Sequence, residues 1–196
     1  MNDYISISTL NDFIFCPYSI YLHNVYMEAD EDIFKATPQI RGTQAHSGVD
    51  KKTGSSRSCD ILSLPVCSNT LGLYGVIDIY KSDKALLIER KYQLKNIYRG
   101  QLYQLWAQYF CMTEMGYEVQ QIAFYEISTN KLLPQATPQQ AEKEELINYL
   151  AALRSYNPVS DKSKPNPNKC VHCIYCNLCD KTELDKGHRD TFRFRD

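Results

Sequence analysis

Two groups of residues in this sequence have the types and spacing for chemistry. The first is Gly75-Val-Ile-Asp78, followed by Glu89-Arg-Lys91. Side chains two apart on a strand share a face, so Glu89 and Lys91 point together and Arg90 points away. If the two segments form a hairpin across Ser82 and Asp83, Asp78 sits beside Glu89. Adjacent carboxylates resist joint ionisation unless a cation lies between them. Hard oxygen ligands suit Mg²⁺ or Mn²⁺, which activate water and neutralise charge on a phosphate during displacement. Lys91 would orient that water or stabilise the charge that develops. Taken alone, a Glu-x-Lys pair is more often a surface ion pair. At the end of an apolar strand the competing reading is a buried structural ion pair.

The second group is Cys170, Cys173, Cys176 and Cys179, four cysteines with two residues between each. Cys16, next to Pro17, is a distant further candidate. Such density is a metal-ligand signal. Three successive two-residue spacers are cramped for zinc, whereas an iron-sulfur cluster accepts three local thiolates and a distant one. Cys59, Cys67 and Cys111 fall in predicted strands and a helix, where small buried thiols are expected.

The elements that must position these residues follow from periodicity and punctuation. Leu10, Phe13, Ile14, Ile20, Tyr21 and Val25 predict a helix over 7–26, capped by Ser8 or Thr9 and interrupted at Pro17, so that Cys16 lies at a turn. A second helix is expected to start near Thr37-Pro38 and to carry Arg41, Gly42 and His46. Strands are expected over 60–67, 71–81 and 85–92 as a meander, with Leu86, Leu87 and Ile88 covered on both faces. A helix over 97–115 should stop at Gly116, followed by a strand over 118–127 and a helix from Thr137 or Pro138 to Leu153. Gln101, Gln104 and Gln108 form one polar stripe on the first of these helices, facing either solvent or a metal-bound water. The segment 157–169 reads as a linker delivering the cysteines. A strand, crossover helix and further strand predict an α/β fold with a mixed β-sheet flanked by helices.

Composition agrees with a single folded domain over 1–196: 43% of residues are hydrophobic and there are eight Gly and eight Pro. A chain of this size buries about 70% of its unfolded surface and needs no disulfide staples. No apolar run approaches the ~20 residues of a membrane helix. The expectation is a cytoplasmic protein without membrane association, where clustered cysteines hold metal rather than disulfides. Lys and Arg number 22 against 23 Asp and Glu, which excludes a globally basic nucleic-acid binder. The charge is unevenly spread. Between Lys81 and Arg99 six basic residues face only Asp83 and Glu89, and the C-terminal segment from Lys162 is also basic. This pattern permits a nucleic-acid face, with Lys95 and Arg99 on the backbone and Tyr92 or Tyr98 stacking on bases.

Taken in order, these motifs resemble those of the CRISPR-associated RecB-like iron-sulfur nucleases of the spacer-acquisition machinery, and the likeness runs over nearly the whole chain. It rests on Phe15-Cys16-Pro17, Arg41-Gly42 with His46, Gly75 to Asp78, Glu89-Arg-Lys91, Gln104 to Gln108, and Cys170, Cys173 and Cys179. The resemblance implies a restriction-endonuclease-like (RecB-like) fold. It also implies that His46, Asp78 and Glu89 bind the catalytic Mn²⁺ or Mg²⁺, that Lys91 assists, and that Gln104 completes the site. A 4Fe-4S cluster would be held by Cys16, Cys170, Cys173 and Cys179, with Cys176 as the alternative to Cys179. Segments 1–36 and 157–180 would form the cluster region, and 181–196 a charged tail. The implied activity is metal-dependent cleavage of single-stranded DNA, as a 5′-to-3′ exonuclease or an end-processing endonuclease. It would prepare prespacers for CRISPR adaptation and antiviral defence, with the CRISPR integrase complex as partner. The alternatives are a non-cleaving iron-sulfur module that measures or hands over prespacers, and a zinc-ribbon adaptor.

Overall fold

A computed structural model describes residues 4–26 and 59–184. The expected helix at 38 onward, with Arg41, Gly42 and His46, lies outside the described residues, as does most of the charged tail. The N-terminal helical segment is broken at Cys16 into α1 (Thr9–Phe15) and α2 (Pro17–Tyr26). Proline has no N–H to continue the first helix and suits the first turn of the next. The expected cap is not formed. Ser8 is itself helical in backbone, and its hydroxyl pairs with that of Ser6 at 2.8 Å.

Among the described residues, six strands form one mixed sheet: β1 (Ile5–Ser6), β2 (Asp60–Ser68), β3 (Leu73–Lys81), β4 (Leu86–Lys91), β5 (Gln121–Glu126) and β6 (Lys131–Gln135). β2, β3 and β4 are the expected meander, with a 3-10 turn at Ser82–Lys84. β4 and β5 run parallel, joined through the crossover helix α3 (Arg99–Glu114). That helix starts where Gln101 Oε1 accepts the Tyr98 N–H at 2.9 Å and stops before Gly116, whose φ of 88° favours glycine. β6 folds back antiparallel on β5, and α4 (Gln140–Ser155) follows. No described helix is long and apolar enough to cross a membrane.

The main core lies between the sheet and one layer of helices. Leu73, Ile77, Leu87, Ile122 and Phe124 meet Leu10 of α1, Leu105 and Met112 of α3, and Leu146 and Leu150 of α4. Leu86, Ile88 and Ala123 are buried on the opposite face, so β4 is covered on both sides as expected.

The long strand β3 is the pivot. β2 occupies one edge throughout. The other edge is shared: β1 pairs at Leu73 and Tyr74, and β4 at Ile79 to Lys81. Between them, neither β1 nor β4 pairs with 75–78. Gly75 is needed there because a Cβ would lie 3.0–3.2 Å from the side chain of Ile7. Inward alternation also slips: Leu73 and Ile77 reach the helix-side core, and so does Tyr80. Ile77 and Asp78 are consequently buried in succession. Opposite Asp78 on β2, Ser63 has a φ of 50°.

Candidate functional site

The interrupted edge of β3 builds the first site. Pairing of Ile79 with Ile88 places Asp78 across from Glu89, where the ladder opens. Asp78 fills the opening: its Oδ2 accepts the Arg90 backbone N–H at 2.7 Å. Glu89 and Lys91 follow Leu87 onto the helix side, and the Lys91 ammonium lies 2.8 Å from Glu89 Oε1. From α3 above, Gln108 Nε2 donates to Glu89 Oε2 at 2.7 Å and Gln104 Oε1 accepts from Lys91 at 3.1 Å. Gln104 Nε2 in turn donates to the Ser8 carbonyl at 3.2 Å. Asp78, Glu89, Gln104 and Gln108 are all buried. Two members of the glutamine stripe therefore face the Glu89 and Lys91 pair, while Gln101 serves the start of its own helix.

Burial opposes charge on Lys91, but Glu89 beside it, with Asp78 and Asp12 beyond, outweighs that penalty and holds the ammonium above its usual range. Asp12 and Ser8, the latter expected only as a helix cap, belong to the site's surroundings. Their contacts span more than 70 residues, and no local periodicity signals them. Gln108 Oε1 is buried and accepts no hydrogen bond among the described residues. The donor set thus offers hard carboxylate oxygens together with a buried acceptor that needs a donor, which fits a hydrated divalent cation. His46 lies outside the described residues.

Tyr92, Lys95 and Tyr98 are exposed on the segment leading from β4 to α3. Leu94 N–H anchors this segment on Glu126 at 2.6 Å. Arg99 is engaged elsewhere: its guanidinium pairs with Glu145 of α4 and lies 4.9 Å from the Trp106 ring centroid.

The second site joins the ends of the described chain. Cys16, Cys170, Cys173, Cys176 and Cys179 line a single pocket, together with Phe15 and Leu22. The spacing has a local cause. Cys173 N–H donates to the Cys170 carbonyl at 3.0 Å, Cys176 to Cys173 at 3.1 Å, and Cys179 to Cys176 at 3.4 Å. Successive three-residue turns return each thiol to the same side. The run begins in α5 (Pro167–Cys170), whose Asn166 cap accepts the Asn168 N–H. Burial pushes the Cys173 thiol up to about 12, against the backbone N–H of Tyr175. Burial also raises Cys179, opposed by the N–H groups of Lys181 and Thr182. Thiolates in this pocket need a positive centre, and the clustered soft donors fit an iron-sulfur group or zinc.

The pocket is braced from outside. Tyr18 donates to Asp180 at 2.8 Å, His23 Nδ1 lies 2.7 Å from the Tyr175 hydroxyl, and Lys169 donates to the Ile14 carbonyl at 3.0 Å. Lys181 lies over the Tyr18 ring and bonds Asp161.

The fold has a solved counterpart. The chain is similar to the crystal structure of SSO0001 with a TM-score of 0.59, at 14% identity, over 93% of this chain and 88% of that one. At such identity the likeness concerns the fold alone, a mixed sheet flanked by helices. No protein-family model matches the sequence, and no curated protein does.

The remaining cysteines correct one expectation. Cys111 is fully buried, but Cys67 is exposed and Cys59 half-buried. Cys67 lies near the end of β2, where its N–H donates to Met115 Sδ at 3.3 Å at the end of α3. Cys59, Asp60 and Asp83 bring three potential ligand atoms within 4.8 Å of one another near the hairpin turn.

Proposed function

We propose that the chain is a metal-dependent DNA nuclease of restriction-endonuclease-like (RecB-like) architecture with a structural 4Fe-4S cluster. The observation that carries this reading is the convergence of Asp78, Glu89 and Lys91 where the β3 ladder opens, under two buried glutamines. A purely structural ion pair accounts for Glu89 and Lys91. It leaves unexplained why Asp78 and two side-chain amides are buried with them.

In this reading Asp78 and Glu89 hold Mn²⁺ or Mg²⁺, with His46 as a further ligand. The cation supplies Lewis acidity toward a phosphodiester and lowers the pKa of a bound water. Lys91, kept charged by Glu89, offsets negative charge developing on the phosphate, and Gln104 fixes its ammonium in place. Tyr92 and Tyr98 offer stacking surfaces to unpaired bases and Lys95 a contact to the backbone, which favours single-stranded DNA. Arg99, already paired with Glu145, is the weakest of the proposed contacts. Cys16, Cys170, Cys173 and Cys179 hold the cluster, and backbone N–H groups directed at Cys173 and Cys179 favour their thiolates. The sequence resemblance supports prespacers as the DNA processed during CRISPR adaptation and the integrase complex as the partner.

The test is digestion of end-labelled single-stranded DNA with Mn²⁺, against the same reaction with chelator. Asp78→Ala and Lys91→Ala should each lower cleavage by about 10²-fold or more, with the visible absorption of the cluster unchanged. Equal cleavage by wild type and Asp78→Ala would remove the catalytic assignment. DNA retained uncut by a metal-loaded protein would favour the non-cleaving module. A colourless protein containing zinc would replace the cluster.

A further inference from the structure

We infer that Gln108 is a positioning residue of the cation site: Nε2 fixes the Glu89 carboxylate, and Oε1 accepts a hydrogen bond from a water carried by the cation. This rests on the nuclease reading above. Gln108 is 3% exposed, and its two amide heteroatoms have unequal fates. Nε2 donates to Glu89 Oε2 at 2.7 Å, whereas Oε1 has no donor among the described residues. Turning the amide over would set its oxygen against a carboxylate and leave the N–H groups unpaired, so Glu89 dictates the orientation. A buried acceptor without a donor costs free energy, and a water held in a polar site is the ordinary remedy.

That water would lie beside Glu89, because Oε1 and Nε2 share one carbon. Water on a divalent cation directs its hydrogens outward and is a stronger donor than bulk water. Gln108 thus completes what Gln104 begins: one amide orients the lysine, the other the carboxylate and a water of the cation.

The experiment measures Mn²⁺ binding calorimetrically on DNA-free protein carrying its cluster, alongside cleavage of single-stranded DNA. Gln108→Met keeps length and removes both polar atoms. Its Mn²⁺ affinity should fall about tenfold to 100-fold, as for groups that hold a metal ligand from behind, with the cluster absorption unchanged. Gln101→Met, on the same helix but away from Glu89, should bind Mn²⁺ as wild type does. If Gln108→Met does not fold, Gln108→Ala gives the same comparison. Unchanged Mn²⁺ affinity in the Gln108 variant, with affinity lost in Asp78→Ala, would overturn this role while leaving the nuclease reading intact. Equal Mn²⁺ binding by wild type and Asp78→Ala would overturn both.

Discussion

Burial in the helix-side core pushes the Cys111 thiol up to about 12, so at pH 8 it is both protonated and shielded. Cys67, close enough to add to that shift, is exposed to solvent. Iodoacetamide at pH 8 should therefore modify Cys67 in the native protein and reach Cys111 only after unfolding in guanidinium. Peptide mass mapping checks this, and native labelling of both at one rate would contradict it. The contrast marks a limit of the sequence. Alternation identifies which residues share a face of β2, but not which face the helices will cover. The acidic pair was more legible, because Asp78, Glu89 and Lys91 interrupt apolar strands across a short hairpin. Ser8 and Asp12 reach the same neighbourhood through tertiary packing alone.

Local punctuation made most elements readable. Pro17 marks the break between α1 and α2, and Gly116 the end of α3. β1 escaped notice because two residues carry no periodicity, and β6 because Pro134 argues against a strand unless it lies at a sheet edge, where β6 is. Close approach between elements shows more in the glycines. A Cβ on Gly100 would lie 2.7 Å from Asn11 Oδ1 and 3.1 Å from its Cα, so α1 and α3 touch at backbone distance. Gly100→Ala must displace α1, which carries Asp12 and follows directly on Ser8. Stability should fall by about 1–3 kcal/mol in urea denaturation, and cleavage by more than the unfolded fraction explains. Gly75→Ala meets the side chain of Ile7 and should cost a similar ~1–3 kcal/mol, with the loss located at β1. A Gly100→Ala protein with wild-type stability and rate would show that the helices separate freely.

Over the whole molecule, the segment after α4 is tied back to the N-terminal helices. Ser163, Tyr156 and Lys181 hold the Asp161 carboxyl well below the usual carboxylate range. A depressed folded-state pKa gives stability that is fully present above the unfolded value of about 3.9 and lost as pH falls through the folded value. The urea midpoint of Asp161→Asn should thus lie below wild type at pH 7, and the gap should narrow below about pH 4. A gap independent of pH would assign the effect to packing. Cys16→Ala removes the one pocket thiol that lies between β1 and β2 in sequence. Its iron content and solubility should fall together, and a full complement of iron would exclude Cys16 as a ligand.

The joining of both ends in one thiol pocket also sets an order of events during synthesis. Cys16 leaves the ribosome more than 150 residues before Cys170, a delay of roughly 8–30 s at about 5–20 residues per second. Throughout that interval α2 lacks the residues that cover Tyr18 and Leu22, and its cysteine meets the cell without the other pocket thiols. Filling of the thiol pocket is therefore a late step, gated by the emergence of the last cysteines, and a chain halted after α4 would carry Asp78 and Glu89 without the means to close its own ends.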